Sequence, residues 1–559
     1  MWCCLLKKEK MNIYIRLSFS TICFYLSAFS LLNAASVSFV NFTPYTFTIT
    51  FAQKKNQLPE DRFSKYVRLI KPWRREKICS FPKTSGIENK KGYIFEETVM
   101  SETFPQAKIL LGQYLIGKKI GFIPISDLWW GLGVAQGAEP YLTKWFNTNR
   151  YTWDKEAYQT YFVLIDENNN AHHFLMRYRH TGDEIEYVLS GINLPQLYQT
   201  VSTEGSPEKI NILSWNLYLM TKKAMQILIG GTEADKPRVD IRSKLIADAI
   251  DPNYDVLVFS EAWDGDARKN LLTGLKNRGY RYATCILGSG YEWKGNGDLY
   301  RKKGVGLKHQ WIIDFNDVRF DTDKLYTQAD DGTRIPLPHE IVQLAWRKDF
   351  AVGNGGIIIV SKWPIEDSAE LIYSKTTEWE GMTKKGCIYT KINKEGKEYH
   401  IFGTHPQAVL GQGIRKEQFQ EFRKFINSLN IPHHEPVILA GDFNVNKDTE
   451  EFRLMVNILD VTLPKLKGTE KYTADHSNNL LNVYSGNKFD AVLYNNLQPS
   501  VYLDYVFYSN NHQKPKQAFN KIRVMTYGSE STPQSPSWSE YLKIYDLSDH
   551  YAIYAQMTF

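Results

Sequence analysis

One pattern constrains this chain more than any other: short apolar runs that stop at a carboxylate, an amide or a histidine. The sharpest case is residues 437–446, Val-Ile-Leu-Ala-Gly-Asp-Phe-Asn-Val-Asn. Four apolar residues in succession read as a buried strand. It ends at Gly441, and Asp442, Asn444 and Asn446 follow at once. Alone, this is a strand closed by an Asx-rich turn. The pattern recurs, however. The run 210–215 ends at Asn216, 255–259 at Ser260-Glu261, and 399–402 at Gly403-Thr404-His405. Asp504 lies inside the run 502–508, and Leu547-Ser548-Asp549-His550 opens the last strand, 551–559. A carboxylate placed directly after Val-Leu-Val-Phe is costly unless its charge is compensated. Either a salt bridge or a divalent cation with oxygen ligands would do so. Between these runs lie helical patterns. Ile241, Leu245, Ile246 and Ala249 share one face, and 416–429 carries Phe419, Phe422 and Ile426 inward. Strands alternating with helices predict an α/β domain over residues 204–559.

The N-terminal part has a different texture. In residues 36–203, Val37 and Phe39, then Phe47, Ile49 and Phe51, alternate with polar neighbours, as strands with one buried face do. Runs 161–165 and 174–178 flank a polar loop at 166–170, which reads as a hairpin, with His172-His173 beside the loop and solvated. We expect a separate antiparallel β-rich domain there, joined to the second by a linker at 196–209. Residues 286–350 read as a long polar excursion with short strands. At 559 residues the chain exceeds one ordinary core. Its formal charge of +7 lacks a dense basic tail, so nucleic acid is not demanded as a partner. Lys7, Lys8, Lys10 and Arg16 precede an apolar run at 17–32, followed by Ala34 and Ala35. That order predicts a cleaved secretory leader over 1–35, with Met1 or Met11 as the start, and an extracellular protein. The run falls short of the roughly 20 apolar residues a membrane span needs. Once the leader leaves, Cys79, Cys285 and Cys387 remain, too few for a disulfide framework and without zinc-ligand spacing.

The joint pattern resembles the endonuclease/exonuclease/phosphatase superfamily, and within it bacterial neutral sphingomyelinase C. The stretches that carry the likeness are DVLVFSEAWD at 255–264, GGIIIVSKWPI at 355–365, KGCIYTKI at 385–392, GTHPQA at 403–408, GDFNVNK at 441–447, YLDYVFYS at 502–509 and DLSDHYAI at 546–553. The resemblance spans about 206–559 and does not reach 36–203. It implies a four-layered, deoxyribonuclease-like β-sandwich flanked by helices, and an Mg2+-dependent hydrolase (Mn2+ or Co2+ substituting) that splits sphingomyelin into ceramide and phosphocholine. By the same likeness Glu261 binds the metal directly, with Asn216 and Asp549 near it. His550 is the general base, oriented by Asp504. Asp442 positions the nucleophile, Asn444 donates to a phosphoryl oxygen, and His405 contacts the phosphate from the other side. Such chemistry needs neutralised phosphoryl oxygens, an activated water and a protonated leaving group.

Two departures stand out. Asn354 occupies a place where the family usually has an acid, and the cysteine pair that some members carry near the catalytic histidine is absent, so the loop after His405 must be held without a disulfide. An aromatic stretch at 536–545 matches a family hairpin that dips into lipid. Trp538, with Tyr541 and Leu542, is the expected membrane contact, against the alternative that these side chains pack onto the sheet. The chain is expected to act as a monomer on membrane sphingomyelin. A nuclease of the same superfamily and a homologue that has lost catalysis remain the competing readings.

Overall fold

The computed structural model describes residues 35–55, 69–81, 92–120, 123–136, 159–181, 184–193, 205–220, 238–288, 354–376, 383–408, 411–482, 500–527 and 544–559, with Glu380 and short isolated strands between 64 and 336. The chain divides into two compact units, one over 1–191 with 492–497, the other over 192–491 with 498–559. The leader and the side chains of Trp538, Tyr541 and Leu542 lie outside the described residues.

The first unit contains two six-stranded sheets. One runs Gln159–Ile165, Ala171–Thr181, Glu184–Gly191, Ala35–Phe42, Arg74–Phe81, Ser64–Lys65. The other runs Leu69–Ile70, Phe47–Lys55, Gly92–Ser101, Phe104–Ile120, Ile123–Gln136, Lys144–Asn147. Val37, Phe39, Phe47, Ile49, Ile109, Phe174 and Tyr187 meet in a single core, because alternate residues on each strand face the same side. Among the described residues pairing is antiparallel with one exception: Ala35–Phe42 lies parallel to Glu184–Gly191. The hairpin at 166–170 closes as an Asx turn, with Asp166 Oδ1 accepting from Asn168 N at 2.9 Å and Asn170 N at 2.8 Å. The histidines beside it are only partly solvated. His172 Nε2 meets Asp166 Oδ2 at 3.0 Å and its Nδ1 meets the Tyr45 hydroxyl at 2.9 Å, while His173 stacks on Tyr161. Their aromatic neighbours draw both rings into partial burial.

In the second unit, the first sheet is built on β1 (Lys209–Asn216), β2 (Val256–Ser260), β3 (Tyr282–Thr284) and β4 (Ile358–Ser361). The second sheet holds β5 (Ile365–Ile372), β6 (Gly386–Lys394), β7 (Lys397–His405), β8 (Val437–Asp442), β9 (Val461–Thr462) and β10 (Asp504–Ser509). β11 (Gln517–Arg523) and β12 (Ala552–Thr558) return to the first. The order in the first sheet is β3-β4-β2-β1-β12-β11, with Ile312–Asp314, Leu325–Gln328 and Arg334–Pro336 extending one edge and Lys465–Lys467 the other. The 286–350 excursion thus contributes edge strands. In the second sheet the order is Leu307–Lys308, β5-β6-β7-β8-β10-β9.

The central strands β1, β2 and β8 are buried almost throughout. One face of each looks into the sandwich, where Ile212, Val258, Ile359, Ile401, Leu439, Val506 and Ile553 join in one core; the other lies under helices. A strand buried on both faces reads as a continuous apolar run, which is why the sequence showed runs there and not alternation. Helices α1 (Val239–Ala249) and α2 (Gly265–Asn277) belong to one flank. On the other, α3 (Gln412–Ser428) packs Phe422 and Phe425 against Phe402, beside α4 (Glu450–Leu459). Asp264 caps α2 through Ala267 N at 2.9 Å, and Thr449 caps α4 through Phe452 N at 3.1 Å. This is the four-layered sandwich that the resemblance implies. No helix among the described residues is long and apolar enough to cross a membrane.

Candidate active site

The site lies where the central strands of both sheets stop. β7 and β8 run parallel, with Thr404 opposite Gly441. A Cβ at Gly441 would come within 2.0 Å of the Thr404 carbonyl oxygen, and the residue has φ of 143°. Only glycine allows the two strands to close here, and that closeness sets His405 and Asp442 side by side. Two further site residues occupy left-handed backbone that side chains other than glycine seldom adopt: Glu261 at φ 54° and Asn444 at φ 54°. Such strain persists only where surroundings enforce it, and it concentrates at functional sites. Asn444 is held by its own N–H donating to Asp442 Oδ1 at 2.9 Å and by its amide donating to Pro406 O at 3.1 Å.

The carboxylates and imidazoles converge from five strand ends. Asn216 Nδ2 donates to Asp442 Oδ2 at 3.0 Å and to Glu261 Oε1 at 3.2 Å, while its Oδ1 accepts from Tyr218 N. His405 Nε2 lies 3.6 Å from Asp442 Oδ2 and 3.8 Å from Glu261 Oε1. His550 Nδ1 is hydrogen-bonded to Asp504 Oδ2 at 2.8 Å, which leaves Nε2 turned towards Asp442 Oδ2 at 4.0 Å. Asp442 and Asp504 face each other across the β8–β10 pairing. Ser548 Oγ ties the last loop to the first strand by donating to Asn216 O at 2.6 Å, and it lies 3.2 Å from Asp549 Oδ1. Trp215 Nε1 donates to His550 O at 2.8 Å.

Burial and crowding set the charges. Burial pushes the Glu261 carboxyl up to about 7, with the Asp549 charge adding to it and Lys385 opposing it. Burial raises Asp504 to about 6 against the pull of His550. Burial likewise raises Asp549. His550 would be lowered by burial, but the Asp504 and Asp442 charges outweigh that and hold it well above the usual imidazole range. His405 goes the other way. Burial, then the Lys385 ammonium and His550, keep it well below that range, so it is neutral.

Every nominated residue of the catalytic and metal sets is therefore drawn to one end of the sandwich. Residues of the right chemistry for a hard divalent cation are present: a half-buried Glu261, whose carboxyl stays raised although Lys385 opposes the shift, with Asn216 and Asp549 near it. Asp442, Asp504 and His550 bring ligand atoms within 4.8 Å of one another. Asn354 offers no such ligand. Its Oδ1 accepts from Gly356 N at 2.9 Å and its Nδ2 donates to Trp263 O, so the amide shapes the turn before β4.

Several participants were not singled out in the sequence. Lys385 reaches within 3.1 Å of His405 Nε2 and 3.5 Å of Glu380 Oε2, and donates to Pro406 O. It stood in view inside KGCIYTKI, but a lysine ahead of a strand usually points to solvent. Thr473 Oγ1 accepts from Leu503 N and Asp504 N. Asn479 and Asn482 donate to Ser548 O and Asp549 O at 2.8 and 2.9 Å. Arg242, buried under the site, donates to Leu217 O, Tyr218 O and Leu547 O. The loop after His405 is held by hydrogen bonds: Gln407 N to Gln418 Oε1, Ala408 N to Glu380, and Arg415 to Gln407 O and Ala408 O. Cys79, Cys285 and Cys387 are buried, and no disulfide joins them.

Comparison with known proteins places the chain in a family. The profile of the Endonuclease/Exonuclease/phosphatase family matches residues 213–550. The chain belongs to this family. Among similar members, Sphingomyelinase C 2 of Leptospira interrogans is 30% identical over 63% of the chain and 48% of its own length. Sphingomyelinase C of Listeria ivanovii is 29% identical over 64% of the chain and 88% of its length. The chain thus spans about half the length of the Leptospira relatives it matches. A solved structure of sphingomyelinase C from Streptomyces griseocarneus, 21% identical, aligns over 63% of this chain and 99% of that one with a TM-score of 0.45.

Proposed function

We propose that this family member is a secreted, Mg2+-dependent phosphodiesterase that hydrolyses sphingomyelin to ceramide and phosphocholine. The observation that carries the reading is the Asp504–His550 pair, joined at 2.8 Å, with the free Nε2 directed to Asp442. A carboxylate on Nδ1 orients the ring so that Nε2, once it has lost its proton, is the base, and a water between Nε2 and Asp442 is in reach of both. His405, opposite, contacts the phosphate from the other side with the Lys385 ammonium 3.1 Å from its Nε2, and Asn444 adds a donor. Glu261, with Asn216 and Asp549 near it, would hold Mg2+, which would supply positive charge to the phosphoryl oxygens and to the Glu261 carboxylate.

The lipid substrate is supported by relatives named sphingomyelinase C, and secretion by the order of charged, apolar and small residues at the N-terminus. Membrane contact through Trp538, Tyr541 and Leu542 completes the proposal. The test is phosphocholine release from sphingomyelin vesicles with Mg2+, run beside plasmid DNA cleavage. We expect vesicle turnover to exceed that of DNA. Preferential DNA cleavage would refute the lipid substrate, and no hydrolysis of either would refute the enzyme.

A further inference from the structure

The segment that carries His550 is gripped from an unexpected direction. Gly191 ends the last strand of the first unit, and Asn193 follows two residues later as part of the second unit. Its Nδ2 donates to Asp546 Oδ1 at 2.8 Å and to the Tyr551 hydroxyl. Its backbone N–H donates to Asn478 O at 3.2 Å. Asp546 and Tyr551 bracket Ser548, Asp549 and His550 in the chain. One amide therefore spans the ends of the loop that holds the general base.

The partners of Asn193 are themselves anchored. Asp546 is fully buried, and its Oδ2 accepts from Leu480 N at 3.0 Å. The Tyr551 hydroxyl donates to Asp475 Oδ2 at 3.4 Å, and the Tyr551 N–H to Thr473 O at 2.7 Å. Thr473 in turn receives the Asp504 N–H, so the tie reaches the residue that orients the catalytic imidazole. Asp475 fixes 477, 478 and 500 through Ser477 N, Asn478 Nδ2 and Ser500 Oγ. From the same segment, Asn479 and Asn482 hold Ser548 O and Asp549 O. Asn193 closes this network by joining three separate stretches at once. Burial makes the closure matter, because a buried acceptor that loses its donor has no water to replace it.

We propose that Asn193 is a positioning residue for the catalytic loop, so that the segment entering the catalytic unit helps hold His550 in register with Asp504 and Asp442. This rests on the phosphodiesterase reading for its kinetic consequence, though not for its structural one. Asn193 acts through Asp546 and Tyr551 and does not touch substrate.

The full chain carrying Asn193→Ala, or Tyr551→Phe, is compared with wild type by Mg2+-dependent phosphocholine release and by hydrogen exchange of amides 546–551. For Asn193→Ala we expect kcat to fall about tenfold with KM little changed, and those amides to exchange about tenfold faster. Tyr551→Phe, which removes one hydroxyl, should show a smaller change of the same kind, and it decides the matter if the first variant does not fold. A lower Tm with kcat and exchange unmoved in the variants that fold would overturn the proposal. If wild type releases no phosphocholine, the activity reading fails by itself. The exchange rates still decide whether Asn193 holds the loop.

Discussion

Glu261 gives the sharpest test of how the site is charged. Its carboxyl is held at about 7, against an ordinary value of 4.5, chiefly by burial and then by Asp549. The folded value lies above the unfolded one, so the neutral carboxyl favours the fold. That contribution is complete below 4.5 and is lost as pH rises through 7. The full difference corresponds to about 3 kcal/mol. The side chain keeps 20% exposure, and solvent screening reduces the figure to about 1–3 kcal/mol. Glu261→Gln preserves shape and an oxygen for the Asn216 amide while removing the charge. In metal-free protein near pH 8 the variant should therefore be more stable than wild type by about 1–3 kcal/mol, or about 2–5 °C in Tm for a unit of this size. Near pH 4 the two should agree. Mg2+ should raise the Tm of wild type near pH 8 and leave the variant unmoved. Thermal unfolding with chelator or Mg2+ at both pH values measures all of this. A variant less stable than wild type near pH 8, or one that still responds to Mg2+, would refute the reasoning.

Other consequences follow from individual contacts. Asp504→Asn removes the charge on His550 Nδ1 and should lower kcat by about 10²-fold or more. Because Asp504 helps hold the imidazole pKa up, the acid limb of the pH–rate profile should also move to lower pH; a limb that stays put would give the titration to another group. Far from the site, Lys394 Nζ lies 2.9 Å from Asp255 Oδ1, with side-chain exposures of 3% and 8%. Lys394→Met leaves that carboxylate buried with the Trp363 and Asn211 donors, both uncharged. Denaturant unfolding should register a loss of about 3–5 kcal/mol, and a loss below about 1 kcal/mol would show that the pair is solvated.

The catalytic sandwich was legible because its central strands are buried on both faces, so β2 and β8 appear as unbroken apolar runs closed by polar residues. The residues at their ends, Asn216, Glu261, His405 and Asp442, were visible for the same reason. A polar group that interrupts such a run has to be explained by something. Lys385 and Asn193 were not legible. Nothing in the type of a lysine before a strand, or of an asparagine near a linker, shows that folding buries it. Thr473, Asp475 and Asn479 were hidden by composition, since a Thr-Ala-Asp-His-Ser-Asn-Asn stretch reads as an ordinary polar loop. The parallel pairing of Ala35–Phe42 with Glu184–Gly191 was equally invisible, because alternation fixes which face of a strand is buried and not the direction of its partner.

We propose that one site, organised by Glu261 and by His550, hydrolyses a sphingolipid phosphodiester with a divalent metal. The direct measurement is phosphocholine release from sphingomyelin vesicles by wild type, Glu261→Ala and His550→Ala, each with Mg2+ and with chelator. We expect release by wild type that needs Mg2+, and a fall of about 10²-fold or more in either variant. Release that persists in chelator, or that survives both substitutions, would contradict it.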